Sequence, residues 1–286
     1  MTTAQPCTEK RGCLYVVATP IGNLEDITLR ALRVLRKADV IACEDTRQTQ
    51  KLLNHYEIKK RVVSYHQHNE RARAAELVAE MQRGAQVALV TDAGMPCVSD
   101  PGQYLVAQCI AGGLPVVPVP GPSALVTALA GAGLEAAEFV FAGFLPARAG
   151  ERRKKLATLK EEPRVLVFYE APHRIVAALA DILAVLGNRQ AVLARELTKI
   201  HEEFVRGNVE ELLERCRHTK PRGEMTLLIA PGAKGAKAAM TETLAEHIAQ
   251  IMREQGVNQK AALKQAARER GMTKREAYRQ MLAEKG

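Results

Sequence analysis

VTDAGMPCVSDPG, residues 90–102, joins the end of an apolar run to the start of a helix, and what such a join holds decides how the chain is read. The run that enters it, QVALV (86–90), is short, continuous and rich in β-branched residues, as in a strand buried on both faces. At its far end Asp100-Pro101-Gly102 supplies an N-cap followed by proline at the first helical position, and Gly112-Gly113 ends the helix that follows. In a parallel α/β sheet ligands collect beyond the carboxyl ends of the strands, so residues 92–100 stand where a ligand is expected. The stretch contains neither GxGxxG nor GxxxxGK[ST], so it is not a phosphate-binding loop.

Working outward, LYVVA (14–18), DVIAC (39–43), RVVSY (61–65) and PVVPV (115–119) repeat the buried-strand pattern, with amphipathic stretches between them. In TLRALRVLRKA, Leu29, Leu32 and Leu35 are expected on the buried face, and Arg30, Arg33 and Arg36 on a solvated one. A second set follows PGPSA (120–124): strands near 138–142, 164–169, 190–194, 202–207 and 224–230, and helices over 172–187 and 209–217. Two of these strands come without a long helix between them, which predicts a mixed sheet. A Gly/Ala/Lys linker, PGAKGAKAA (231–239), then leads to three helices near 241–255, 258–270 and 273–284. Gly256 and Gly271 stop the first two, Asn258 caps the second, and Thr273 with Glu276 forms a capping box for the third. The chain therefore reads as a flexible tail (1–12), two α/β domains (13–120 and 121–232) and a basic helical module (240–286).

With 286 residues, 47% of them hydrophobic, the chain can bury two ordinary cores. No run approaches the roughly 18 apolar residues of a membrane span, and the first dozen residues lack the apolar core of a signal peptide, so a cytoplasmic protein is expected. The six cysteines form no CxxC and the seven histidines no HExxH, so reduced thiols are expected, with no metal site and no disulfide framework. The net charge of +9 points to an anionic partner, nucleic acid being the commonest. The last 54 residues hold 11 Lys and Arg against 6 Asp and Glu, more than half of that excess.

The same strand-end rule selects further segments: TPIGN (19–23), EDTR (44–47), HQHNE (66–70), GPSA (121–124), YEAPHR (169–174) and RELTK (195–199). Glu44 suits a dinucleotide fold's acidic position, but TPIGN has one glycine, and its proline and isoleucine leave too few free N–H groups to cradle a pyrophosphate.

Taken in order, VATPIGNLEDITLRAL, ACEDTR, DAGMPCVSDPG, PGPSA, GFLP, FYEAPHR and ARELTK resemble the motif series of the tetrapyrrole methylase superfamily, and within it the ribosomal RNA small subunit methyltransferase I family. The resemblance runs from about Leu14 to Ala230. It implies two α/β domains of tetrapyrrole-methylase type with an S-adenosylmethionine cleft between them. It also implies a homodimer that 2′-O-methylates a cytidine ribose in the decoding region of 16S rRNA or the small ribosomal subunit. Carried over by motif, the cofactor positions are Pro20, Gly22, Asp92, Ala93, Gly94, Val98, Ser123, Ala124, Glu170 and Leu197. Porphyrin-modifying relatives have GxGPGDP and GDP where this chain has ATPIGNL (18–24) and Gly94-Met95-Pro96. The lost aspartates argue against the alternative of a tetrapyrrole methyltransferase. A non-catalytic RNA-binding assembly factor is the other alternative.

Methyl transfer to a ribose hydroxyl needs alignment and a proton acceptor. The candidates are His68, Glu170, His66 and Glu196. His68 serves equally as a cap for the helix starting near Asn69, and Glu170 as a carboxylate before Pro172. Asp45, Arg47, Arg174, Arg195 and Lys199 are candidate substrate contacts, the basic ones holding either RNA phosphates or structural carboxylates. RAGERRKK (148–155) places Arg152 and Arg153 beside the expected mouth of the site, where a basic run follows an RNA backbone.

Overall fold

Five short runs build the first sheet: β1 (Cys13–Val17), β2 (Val40–Cys43), β3 (Arg61–Ser64), β4 (Gln86–Leu89) and β5 (Val116–Val119), the inner three buried and the edge strands β3 and β5 only partly so. In the computed structural model, which describes residues 12–219, 221–232, 243–269 and 272–283, they lie in the order β3-β2-β4-β1-β5. Every pairing is parallel, as the continuous apolar runs require. Alternate residues of each strand feed two cores. On one face α1 (Leu29–Lys37) and α2 (Thr46–His55) bury Ala31, Leu35 and Leu53 against Ile41 and Ala88. On the other, α3 (Glu70–Gln82) and α4 (Gln103–Ala111) bury Leu77, Met81 and Leu105 against Leu14 and Leu89.

Two local expectations are corrected. Leu29 is 86% exposed, and α1 buries Ala31, Val34 and Leu35 instead. A strict three-residue repeat drifts by about 60° per step around a helix, so Leu29 leaves the inner face while Leu32 is partly buried against the core and Leu35 fully so. Arg30, Arg33 and Arg36 are exposed as expected. Helix α4 starts at Gln103 with Gly102 as its N-cap, so Asp100 and Pro101 stay in the turn before it.

The second sheet contains β6 (Phe139–Phe144), β7 (Val165–Glu170), β8 (Gln190–Arg195), β9 (Glu203–Asn208) and β10 (Met225–Ile229), in the order β6-β7-β10-β8-β9. It is mixed, as predicted: β6 and β7 are parallel, and the other three pairings are antiparallel. One face carries α6 (Ala149–Thr158), α7 (Ile175–Leu186) and α8 (Val209–Thr219). The opposite face carries α5 (Ala124–Ala132), whose cluster also takes in Ile21 and Ala93 from the loops of the first sheet. That shared cluster fixes the two sheets relative to each other.

The third part, α9 (Leu244–Gln255), α10 (Gln259–Glu269) and α11 (Lys274–Ala283), has a core of its own around Leu244, Ile248, Leu263, Ala266 and Met281. Its caps follow the sequence. Gly256 is left-handed, Asn258 Oδ1 accepts from the Ala261 N–H at 2.9 Å, and Thr273 and Glu276 complete their box. The tail to residue 11, most of the linker and Gly271 lie outside the described residues. Among those described, Cys43, Cys97, Cys109 and Cys216 are free thiols. None of the described helices is long and apolar enough to cross a membrane.

Candidate active site

The loops after β1 and β4 are tied together before they meet anything else. The Thr19 N–H donates to the Gly94 carbonyl at 2.9 Å, the Gly94 N–H returns a bond to the Thr19 carbonyl at 3.0 Å, and the buried Thr19 hydroxyl donates to the Thr91 carbonyl at 3.0 Å. Gly94 sits at φ +82°, a conformation glycine adopts without penalty. Cys97 and Ser99, at φ +70° and +65°, hold the same region without that freedom, at a cost of about 1–3 kcal/mol each. Non-glycine residues in such conformations cluster where a loop is shaped for a ligand.

Beyond these loops lies a cleft of about 450 Å³ between the two sheets. The first sheet contributes Ile21, Glu44, the 91–100 segment, Ser123 and Ala124. The second contributes Phe144, Tyr169 to Pro172, Glu196, Leu197, Lys199 and residues 223–226. The walls are largely apolar, yet the lining includes six carboxylates (Glu44, Asp92, Asp100, Glu170, Glu196 and Glu224) and a single cation, Lys199. In a chain of net charge +9 that local balance is reversed, as suits a cationic ligand.

Burial and mutual repulsion set the state of these acids. Burial, then the charges of Glu44, Asp92 and Glu224, push Asp100 up to about 6 against a hydrogen bond from Thr91. Glu44 and Asp92 are also raised, mainly by burial. Glu170 is 2% exposed and raised by burial, although Oε1 accepts from the Ala171 N–H at 2.9 Å and lies 3.2 Å from Arg174 Nε. Its Oε2 is buried with no protein partner. Glu196 is lowered because the Lys199 ammonium donates to it at 2.9 Å.

The family profile described as Tetrapyrrole (Corrin/Porphyrin) Methylases matches residues 13–213. The Ribosomal RNA small subunit methyltransferase I of Halalkalibacterium halodurans is 45% identical over 264 residues, covering 91% of each chain. That of Escherichia coli O157:H7 is 45% identical over 266 residues, covering 92% of this chain and 93% of its own. The chain belongs to the ribosomal RNA small subunit methyltransferase I family. Among solved structures, uroporphyrin III C-methyl transferase from Thermus thermophilus superposes with a TM-score of 0.56 at 20% identity, over 78% of this chain and 98% of its own. At that identity the likeness is one of fold, and a shared fold does not carry a shared substrate.

Of the positions that the family resemblance implies for a cofactor, Asp92, Ala93, Gly94, Val98, Ser123, Ala124, Glu170 and Leu197 line the one cleft. Pro20 and Gly22 line an adjoining cavity that shares Asp92, Ala93 and Lys199 with it. Ser123 is the N-cap residue of α5, but its side chain makes no capping bond. Glu196 lines the cleft; His66 and His68 do not. Neither does His68 cap α3: Asn69 is the cap residue, and its side chain turns back to accept the His66 N–H at 2.8 Å.

The other family candidates scatter. Asp45 caps α2 through the Arg47 N–H at 2.8 Å and pairs with the Arg47 guanidinium, which holds its carboxyl at about 2. Arg174 is turned inward to Glu170 and the Leu145 carbonyl. Arg195 pairs with Glu203 at 2.6 Å and lines a separate groove. Arg152 is not a surface contact for RNA. Its side chain is 6% exposed, bonded to Asp181 at 2.7 Å and to the Pro146 and Ala147 carbonyls. Arg153 shares Asp181 but remains exposed.

Several lining residues escape the strand-end rule. Gly223, Glu224, Met225 and Thr226 enter because β10 runs antiparallel, so its beginning opens on the cleft. Phe144 lies just past the strand expected at 138–142, in a segment the rule does not select. Asp100 ends the 92–100 segment, but its place before Pro101 marks it in the sequence as a helix cap.

Proposed function

We propose that the protein transfers the methyl group of S-adenosylmethionine to the 2′-hydroxyl of a cytidine ribose in the decoding region of small-subunit rRNA, acting as a cytoplasmic homodimer. The observation that carries this reading is the cleft itself: eight of the family's cofactor positions converge on it, and its lining is acidic and apolar. Small residues at Ala93, Gly94 and Ala124 leave room for a bulky ligand, and the carboxylates offset a sulfonium and an ammonium charge. When bound, S-adenosylmethionine supplies an electrophilic methyl group.

The protein's part is to align the ribose oxygen, exclude water and accept one proton. Asp100 is the group assigned to the proton. Glu170 is tied through Oε1 to the Ala171 N–H and Arg174, with Oε2 buried without a protein partner, Glu196 is held by Lys199, and Asp92 accepts the Asp45 N–H at 3.3 Å. Asp100 lines the cleft and makes no ion pair among the described residues. Mass spectrometry of rRNA nucleosides from a deletion strain, with methyl transfer by the purified protein to the strain's small subunits, tests the reading. Loss of one 2′-O-methylcytidine and its restoration in vitro are expected. An unchanged nucleoside profile defeats the proposal.

The helical module is assigned to docking on the rRNA. Lys260, Lys264, Arg275 and Arg279 are exposed on helices whose core is their own; Arg268 and Lys274 belong to the same basic set. Each phosphate interaction removed flattens the dependence of log K on log[salt] by about 0.7–0.9. Truncation after Pro231 is expected to leave S-adenosylmethionine affinity intact, weaken subunit binding and reduce its salt slope. Filter binding at several salt concentrations reads this, and unchanged affinity and slope would assign the module a structural role instead.

A further inference from the structure

An irregularity in β6 brings an aromatic ring to the mouth of the cleft. Along this strand Phe141 joins the cluster under α5, while Val140 and Ala142 pack toward the core under α6 and α7. Continued alternation places Phe144 with Val140 and Ala142. The register with β7 shifts instead: Phe141 lies opposite Val167, yet Phe144, three residues on, lies opposite Tyr169, two residues on. The extra residue makes a bulge, with Gly143 at φ +65°. Bulges beside active sites commonly re-aim a side chain, and here Phe144 is moved to the face of Phe141 and Tyr169. A Cβ on Gly143 would lie 3.3 Å from Ser99 Oγ, so the bulge also abuts the 90–102 loop.

The Phe144 ring is 52% exposed and lines the cleft. It is braced from behind: its centroid lies 5.7 Å from that of Tyr169, whose ring in turn meets Phe141 edge-on at 4.9 Å. The chain has five phenylalanines and no tryptophan, so one held half in water on a rigid support is a poor use of apolar surface unless something covers it. Immediately after it, Arg148, Arg153, Lys154 and Lys155 are exposed on α6 and its approach, and among the described residues Lys154 and Lys155 make no ion pair.

We propose that Phe144 is the stacking platform for a nucleobase of the substrate RNA, splayed from its strand while the neighbouring phosphates follow the basic face of α6. A nucleotide splayed from its strand brings its ribose into a cleft walled by two sheets, and its unstacked base recovers the lost stacking on an aromatic face. The adenine of the methyl donor has the same stacking chemistry. Phe144 is half exposed and is followed directly in the chain by the basic run of α6, which favours the RNA base. The assignment rests on the rRNA reading above.

The test compares Phe144→Ala, Phe144→Leu and Phe144→Trp with the native protein, using small ribosomal subunits from the deletion strain and, separately, S-adenosylmethionine alone. A stacked base is worth roughly a 5- to 150-fold change in affinity. Phe144→Ala and Phe144→Leu are expected to raise the KM for subunits by that factor, Phe144→Trp to restore it, and all three to bind S-adenosylmethionine as the native protein does by calorimetry. Thermal unfolding confirms that the variants are folded. Unchanged KM in Phe144→Ala overturns the proposal, as does a Leu variant equal to the native protein. A parallel loss of S-adenosylmethionine affinity assigns the ring to adenine and overturns it too. Native protein that does not methylate the subunits defeats the underlying reading, an outcome visible before any variant is compared.

Discussion

Gly94→Leu is expected to fold and to lose S-adenosylmethionine binding by roughly a hundredfold or more, about 3 kcal/mol. The backbone bonds between Thr19 and Gly94 need no particular side chain and survive the substitution. The positive φ costs a bulky L-residue about 1–2 kcal/mol, small against the 5–15 kcal/mol that keeps a typical domain folded. The larger effect is volume. A Cβ at this position already lies 3.5 Å from Ile21 Cγ2 and 3.8 Å from the Pro122 carbonyl oxygen, so three further carbons have only the cleft to enter. Gly94→Ala separates the two effects, since it carries the backbone strain without filling the cleft, and it is expected to keep most of the affinity. Calorimetry with S-adenosylmethionine, beside thermal unfolding, decides. A folded Leu variant with native affinity would remove this loop from the cofactor site.

What is legible in the sequence is set by how local the determining interaction is. All ten strands lie within two residues of their expected bounds, most plainly β1, β2, β4, β7, β8 and β10, because a strand covered on both faces is a continuous apolar run whatever its neighbours. The strand-end rule finds the cleft loops after β1, β2, β4, β7 and β8, overreaches at the edge strand β3, whose 66–70 loop stays off the cleft, and misses β10, whose direction depends on pairing with β7 and β8, far away in sequence. Counting charges in RAGERRKK misplaces Arg152. Helical spacing puts it on the same face as Leu156, four residues on, and both are buried, while Arg153, Lys154 and Lys155 face out. Asp181, the partner that makes burial of Arg152 tolerable, stands 29 residues away and carries no local signal. The Gly143 bulge is hidden for the same reason, since a register shift exists only relative to β7.

Asp100→Asn is expected to lower kcat by about 10²–10⁴ while leaving S-adenosylmethionine affinity within a few-fold, as removal of a positioned base does. The native carboxyl is held at about 6 by burial and by Glu44, Asp92 and Glu224, which face it from the ends of β2, β4 and the start of β10. Native kcat should therefore climb between pH 5 and 7, with a midpoint near 6 that the Asn variant lacks. Stability supplies a second, independent readout. A carboxyl raised in the folded state above its ordinary 3.8 favours folding when protonated, so that contribution is complete below the ordinary value and is lost as pH rises to about 6. Asn cannot ionise, so the variant should match the native protein in Tm near pH 4 and exceed it at pH 7, a gain in stability at the expense of turnover. His68→Ala, outside the cleft lining, should leave kcat near native. Glu170→Gln should chiefly disturb the 170–174 turn, because Glu170 accepts the Ala171 N–H and faces Arg174. Native turnover in Asp100→Asn, with collapse of kcat but not of cofactor binding in either His68→Ala or Glu170→Gln, would move the proton acceptor to that residue.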